Sequence, residues 1–298
     1  MFLFAEGGHH EPLIVEFVNH YLGKPVHELQ MATTYKMWTA FFSNFGTTPE
    51  AVFGGEYTPE NAIPWYTIMF VIACILTIII IRVLKGKLSE DDPTTGQLTL
   101  EAGFLAIKDL IVSVIGDNGF KYFPVIATFA VLILISNLMG MVPMFMSPTG
   151  SVNVTFALGI TSFIYFNYVG IKENGLLKYI AHFAGPKLPW YMLPITVLIF
   201  FIEIVSMSIR PMTLGVRLFA NMFADEQLYA QISGLYPPYS HFVVQTLILL
   251  PLGFFVAVVQ TLVFTLLSMI YINLALPHDD HAGEEHAENA GELAAAHA

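Results

Sequence analysis

Charge is what this sequence has least of. Only 12% of its 298 residues are Asp, Glu, Lys or Arg, against about 25% in soluble domains, so a soluble fold is excluded first. Twelve Lys and Arg face 23 acids, a net charge of −11, which argues against a nucleic-acid partner. Much of that negative charge sits at the two ends. A single cysteine, Cys74, excludes an intramolecular disulfide and argues against a cysteine-based metal site. Its place inside an apolar run makes a small lipid-facing or packed residue the expectation. There is no phosphate loop, catalytic triad or metal motif, so no catalytic residue, metal or cofactor is expected on this chain. The opening MFLFAEGGHHEPL lacks a basic region and a long enough apolar run for a secretory signal, and its retention is the expectation.

Apolar residues are plentiful instead, at 55%, and the mean hydropathy is +0.65. That composition describes an all-α integral membrane protein. Residues 1–62 are mixed, with room for short helices such as 11–21. A first span is expected at 63–83, opened by Trp65-Tyr66 and closed by Arg82, Lys85 and Lys87. A polar linker, 86–99, leads to 100–116, where Glu101, Lys108 and Asp109 among apolar positions predict an amphipathic helix lying on the membrane surface. A transmembrane hairpin occupies 120–172, turning at Ser147-Pro148-Thr149-Gly150. A long helix pair is expected over 190–276. The tail, 277–298, has six acids, four His and no cation, and is expected to be disordered and solvated. About five crossings and one surface helix result.

Orientation follows from the cations. Five lie on 82–121 and three on 172–187, with none on 147–151 or 231–240. The basic side faces the cytoplasm, which predicts the N-terminus outside and the C-terminus inside.

The most informative stretch is 190–229. It is apolar enough for lipid, yet holds Glu203, Arg210, Arg217, Asn221, Asp225 and Glu226. An arginine near mid-bilayer costs about 2.5–3.5 kcal/mol on insertion scales, so it is kept only where it faces protein or water. At about 100° per residue, Glu203, Ser206, Arg210, Thr213, Arg217, Asn221 and Ala224 stay within roughly a quarter turn of one line. Along the axis Glu203 lies about 21 Å to one side of Arg217 and Glu226 about 14 Å to the other. Acid, fixed cation and acid again suit a proton path interrupted by a positive charge. Forty residues in one helix would be about 60 Å long, twice the ~30 Å hydrocarbon core. Either the helix is tilted and bent at Pro211, or the stretch is two short spans with a re-entrant break. The stripe, unbroken through Pro211, favours the first.

Each polar residue also has a plainer reading. Arg210 can snorkel, and Gln260 or Asn221 can serve as interhelical glue. The acids Glu203 and Glu226, seven and nine residues from the nearest stripe arginine, are too far for easy pairing on one helix, which favours a place on an aqueous path. Gly215, Ala220 and Ala224 are small enough to let another helix approach.

These residues resemble subunit a of the F-type ATP synthases, the membrane stator beside a rotating ring. The resemblance rests on RPMTLGVRLFANMFADE with Gln260 in VAVVQTLVFTLLSMIYI, supported by NLMGMVP from Asn137 and VNVTFAL from Val152, and covers roughly residues 60–276. It implies that Arg217 is the essential arginine, that Glu226 and Gln260 line an outer half-channel with Asn221 one turn from the arginine, and that Glu203 and Ser206 line an inner one. Arg210 matches a commonly basic but replaceable position. The resemblance further implies a helix hairpin against a c-subunit ring, a b-subunit peripheral stalk, other F0F1 subunits, a surrounding lipid bilayer and a place in a bacterial inner membrane. Some bacterial members carry Gly where Asp225 stands and His where Gly253 stands. Ser151 replaces a frequent Asp. The rival reading is a stand-alone secondary transporter with a midplane ion pair, but no internal repeat relates the two halves.

Overall fold

The computed structural model describes residues 12–44, 46–47, 59, 62–142, 145–176, 178–179, 193–235 and 249–276. Its elements are helical. Helix α1 (Leu13–Gln30) runs through a π-turn (Met31–Tyr35) into α2 (Lys36–Ser43), so the short helix expected at 11–21 is part of a longer helical arm. Then follow α3 (Trp65–Lys85), α4 (Thr95–Ile115), a 3₁₀ turn (Asp117–Tyr122), α5 (Phe123–Met139), α6 (Val152–Asn174), α7 (Leu193–Leu235) and α8 (Leu250–Ala275). Among the described residues five stretches are long and apolar enough to cross a membrane: α3, α5 together with the 3₁₀ turn before it, α6, α7 and α8. The expected all-α membrane architecture is the observed one. Residues 277–298, the predicted disordered tail, and 241–248, the expected start of the last helix, lie outside the described residues.

Two boundaries differ from the expectation, and both have a local cause. Helix α4 starts at Thr95, inside what reads as linker, because the Thr94 hydroxyl accepts the Gln97 amide at 3.3 Å. Gln97 in turn exchanges two bonds with the Ser89 backbone, at 3.1 and 3.0 Å. Thr-x-x-Gln is the capping-box spacing, but here only the Thr94 half of the box forms, satisfying one donor of the new helix, while the Gln97 side chain fastens the preceding turn at Ser89. Helix α5 stops at Met139, short of residue 146. Beyond it Ser147 and Thr149 fold back under the helix end, the Ser147 hydroxyl donating to the Ser136 carbonyl at 3.0 Å and Thr149 to Asn137 Oδ1 at 2.7 Å. These hydroxyls are buried, so the turn is fastened from inside.

Helix α8 sits among α4, α5, α6 and α7, while α6 runs along α7 and α3 packs on α4 and α5. Three clusters stack along the bundle. Ile111, Ile126, Phe166, Met207 and Met269 fill the basic end. Ile133, Leu158, Leu214, Leu218 and Phe264 fill the middle. Val15 of α1 joins Met69, Ala73 and Met139 at the other end. In lipid no hydrophobic force pulls apolar helices together, so close packing and interhelical hydrogen bonds decide. Ser162 of α6 meets Ser268 of α8 at 3.0 Å, and Asn174 donates to the Ala275 carbonyl at 2.8 Å.

Helix α7 has 43 residues, about 64 Å of helix. It continues through Pro211 as one element, which removes the alternative of two short spans. A helix of that length cannot stand upright within a ~30 Å core.

Candidate functional site on the helix hairpin

Helix α7 buries one line of residues, Met207, Leu214, Leu218 and Met222, at steps of seven and four. That line faces α6. At Gly215 the two backbones nearly touch: a Cβ there would lie 3.1 Å from the Thr155 carbonyl oxygen and 3.2 Å from the Phe156 Cα. The close approach that small residues permit therefore belongs, for Gly215, to a contact within this chain. Ala220 and Ala224 remain exposed.

The polar stripe lies roughly a quarter turn from the buried line. Its inner edge consequently reaches α8 and its outer edge is bare. On the inner edge Asn221 donates through Nδ2 to Oε1 of Gln260 at 2.5 Å, and Gln260 is only 3% exposed. Eleven residues earlier the Arg210 guanidinium lies over the Tyr271 ring, 5.4 Å from its centroid, and Tyr271 is eleven residues after Gln260. One antiparallel register thus supplies both contacts, since eleven residues are about three helical turns. The resulting fastenings stand about 16 Å apart along α7.

Arg210 also pairs with Glu203, Nη2 to Oε1, at 3.6 Å. This corrects the expectation that seven residues are too far for easy pairing. The arginine side chain runs back toward the N-terminal end of its helix and covers much of two turns. At 3.6 Å the contact is an ion pair without a formed hydrogen bond. Arg210 is thereby held between an acid and an aromatic face, a packed position with no need to snorkel.

Arg217 lies between the two fastenings, seven residues after Arg210 and four before Asn221. It is exposed, and among the described residues no acid pairs with it. Ser206 and Asp225 are half-buried. Glu226 follows Asp225 on the same helix, and its side chain lies outside the described residues. Gly253, on α8, has free space: a Cβ would meet only Met141 Cε, at 3.8 Å. Tyr271 is the residue that sequence reading misses. An aromatic one register step from a stripe arginine is its signal, but the register itself has to come from the fold. No group of three or more His, Cys, Asp or Glu is placed to hold a metal among the described residues.

The family model described as ATP synthase A chain matches residues 66–273. The chain belongs to that family. The ATP synthase A chain match takes in every element from α3 to α8, and with them all the stripe residues. Similar curated proteins include the ATP synthase subunit a of Aquifex aeolicus, 35% identical over 68% of this chain and 93% of the relative. That of Trichlorobacter lovleyi is 38% identical over 72% and 87%, and that of Solibacter usitatus 34% identical over 74% and 91%. The five apolar helices agree with a multi-pass place in a membrane.

Proposed function

We propose that this chain is the stator subunit of an F-type ATP synthase and that Arg217 separates two aqueous half-channels serving a carboxylate on a neighbouring c-ring. The observation that carries this is the contrast between the two arginines of one stripe. Arg210 is engaged by Glu203 and Tyr271, while Arg217, between two fastened neighbours, is presented outward. A bare guanidinium in an apolar belt needs a partner.

A guanidinium stays protonated at any pH a cell reaches, so it cannot relay a proton. What it does is stabilise a passing carboxylate in its ionised form. A protonated site on the ring must give up its proton before it can move past. Asn221, Gln260, Asp225 and Glu226 lie on the outer side of Arg217 along the hairpin and form the entry path. Glu203 and Ser206 lie on the other side and form the exit, with Arg210 holding Glu203 at its mouth. The fixed charge also blocks direct leakage between the paths. One charge crossing 100 mV releases ~2.3 kcal/mol, and rotation sums several crossings.

The chain functions in this reading within a bacterial inner membrane, N-terminus outside, together with the c-ring, a b-subunit stalk and the nucleotide-processing subunits. Arg217→Ala in inverted membrane vesicles tests it. ATP-driven acidification should vanish, and unchanged coupling would remove the stator reading. A secondary transporter would instead carry protons as an isolated chain in liposomes.

A further inference from the structure

At the basic end of the bundle, where α5 begins and α6 ends, a cleft of about 120 Å³ opens between the two helices. A single water needs only about 10–15 Å³ in the same measure, so the cleft is sized for a small chemical group. Lys121, Lys172, Glu173, Tyr165 and Tyr168 line it. The three charges are arranged unequally. Lys121 Nζ bonds Glu173 Oε1 at 2.8 Å and lies 5.1 Å from the centre of the Tyr122 ring. Glu173 is thus neutralised and Lys121 is held in place. An ammonium has three donors, and Glu173 uses one. Lys172, on the other wall, has no ion pair or hydrogen bond among the described residues. The cleft is left with one net positive charge, unused donors on two lysines and two tyrosines at its rim.

We infer that this cleft binds the phosphodiester of an anionic phospholipid headgroup between Lys121 and Lys172. A phosphodiester carries a single negative charge, which matches the single surplus positive charge. The attachment to lipid follows from what adjoins the cleft. Ile160, Ile164 and Tyr168, at four-residue steps along α6, are 49%, 62% and 58% exposed. They form an apolar strip that ends at the two lysines, where an acyl chain can lie while its phosphate occupies the cleft. Tyrosines at the rim suit the level of the glycerol and headgroups, and basic pockets between transmembrane helices are the usual sites of anionic headgroups. None of these residues belongs to the polar stripe of α7, and the inference goes beyond the proton path.

The test is native mass spectrometry of the full-length chain released from nanodiscs containing equal phosphatidylglycerol and phosphatidylethanolamine. Phosphatidylglycerol should be retained preferentially. Lys172→Gln leaves the Lys121–Glu173 pair intact and should lower retention about fivefold, as expected from the ~1 kcal/mol that a basic residue near an anionic surface contributes. The double change Lys121→Gln with Lys172→Gln should lower it about thirtyfold on the same scale. Arg217→Ala should retain lipid like the wild type, whatever it does to proton flux. Wild-type retention by Lys172→Gln would overturn the inference, as would an equal fall in Lys87→Gln, which lies off the cleft. Release of phosphatidylglycerol by millimolar inorganic phosphate would show a free-anion site and overturn the lipid assignment.

Discussion

Asn221 and Gln260 face each other across α7 and α8, amide to amide, at 2.5 Å, and this contact fixes the register that also sets Arg210 against Tyr271. Its energetic worth follows from its surroundings. Gln260 is only 3% exposed, yet measured interhelical hydrogen bonds in membranes average about 0.6 kcal/mol with a maximum near 1.7. A double-mutant cycle of Asn221→Ala and Gln260→Ala, read by denaturant unfolding in micelles, should therefore return a coupling energy of about 1 kcal/mol. Additive single effects would show that the pair does not form.

The two arginines should separate stability from function. Arg217→Ala removes no contact described within the chain, so thermal unfolding should shift by no more than a surface substitution does, about 0.5 kcal/mol. ATP-driven pumping should nonetheless be lost. Arg210→Ala removes an ion pair and a cation–π contact and should destabilise by about 1–2 kcal/mol while leaving measurable pumping. Equal losses of pumping in both variants would refute this division of labour.

The difference between what the sequence discloses and what it conceals comes down to reach. Membrane spans announce themselves through length and apolarity, and the spacing of three and four residues is enough to place Glu203, Arg210 and Arg217 on one line. The helix start at Thr95 is passed over when 86–99 is read as linker, because the Thr94 cap is completed by Gln97 reaching back to Ser89, a contact that polar composition does not reveal. The Glu203–Arg210 pair is misjudged because backbone spacing alone ignores the length and direction of an arginine side chain. The Gly215 contact and the Tyr271 partner depend on which helix lies beside which and in what register. No local pattern encodes that.

Asp225 and Gly253 offer a test of exchanged positions. Where some bacterial relatives carry Gly and His, this chain has the acid on α7 and the glycine on α8. Space around Gly253 accepts a side chain, since only Met141 Cε approaches, at 3.8 Å. If the outer path needs one titratable group at this level, Asp225→Gly should slow pumping severalfold. Adding Gly253→His should restore part of the rate. Failure of the double variant to exceed the single one, at equal expression, would argue that Asp225 acts alone or is dispensable.

Two glycines should respond oppositely to substitution. At Gly215 a new Cβ meets backbone atoms of α6 at 3.1 and 3.2 Å, and a backbone cannot swing aside as a flexible side chain does. Gly215→Val adds two further methyl groups to that contact and should force α6 and α7 apart, at a cost of about 1–3 kcal/mol, the usual range for overpacking. Gly103 lies within α4, where an added Cβ would meet no neighbouring atom within 4 Å. Gly103→Ala gains helix propensity without a clash and should stabilise the chain by about 0.5–1 kcal/mol. Thermal unfolding of both variants in the same detergent decides the matter. Because α7 carries Arg217, displacement at Gly215 should also lower pumping more than the loss of stability explains, whereas Gly103→Ala should leave it unchanged. A Gly215→Val chain as stable as the wild type would mean that α6 and α7 do not pack as closely as their backbones indicate.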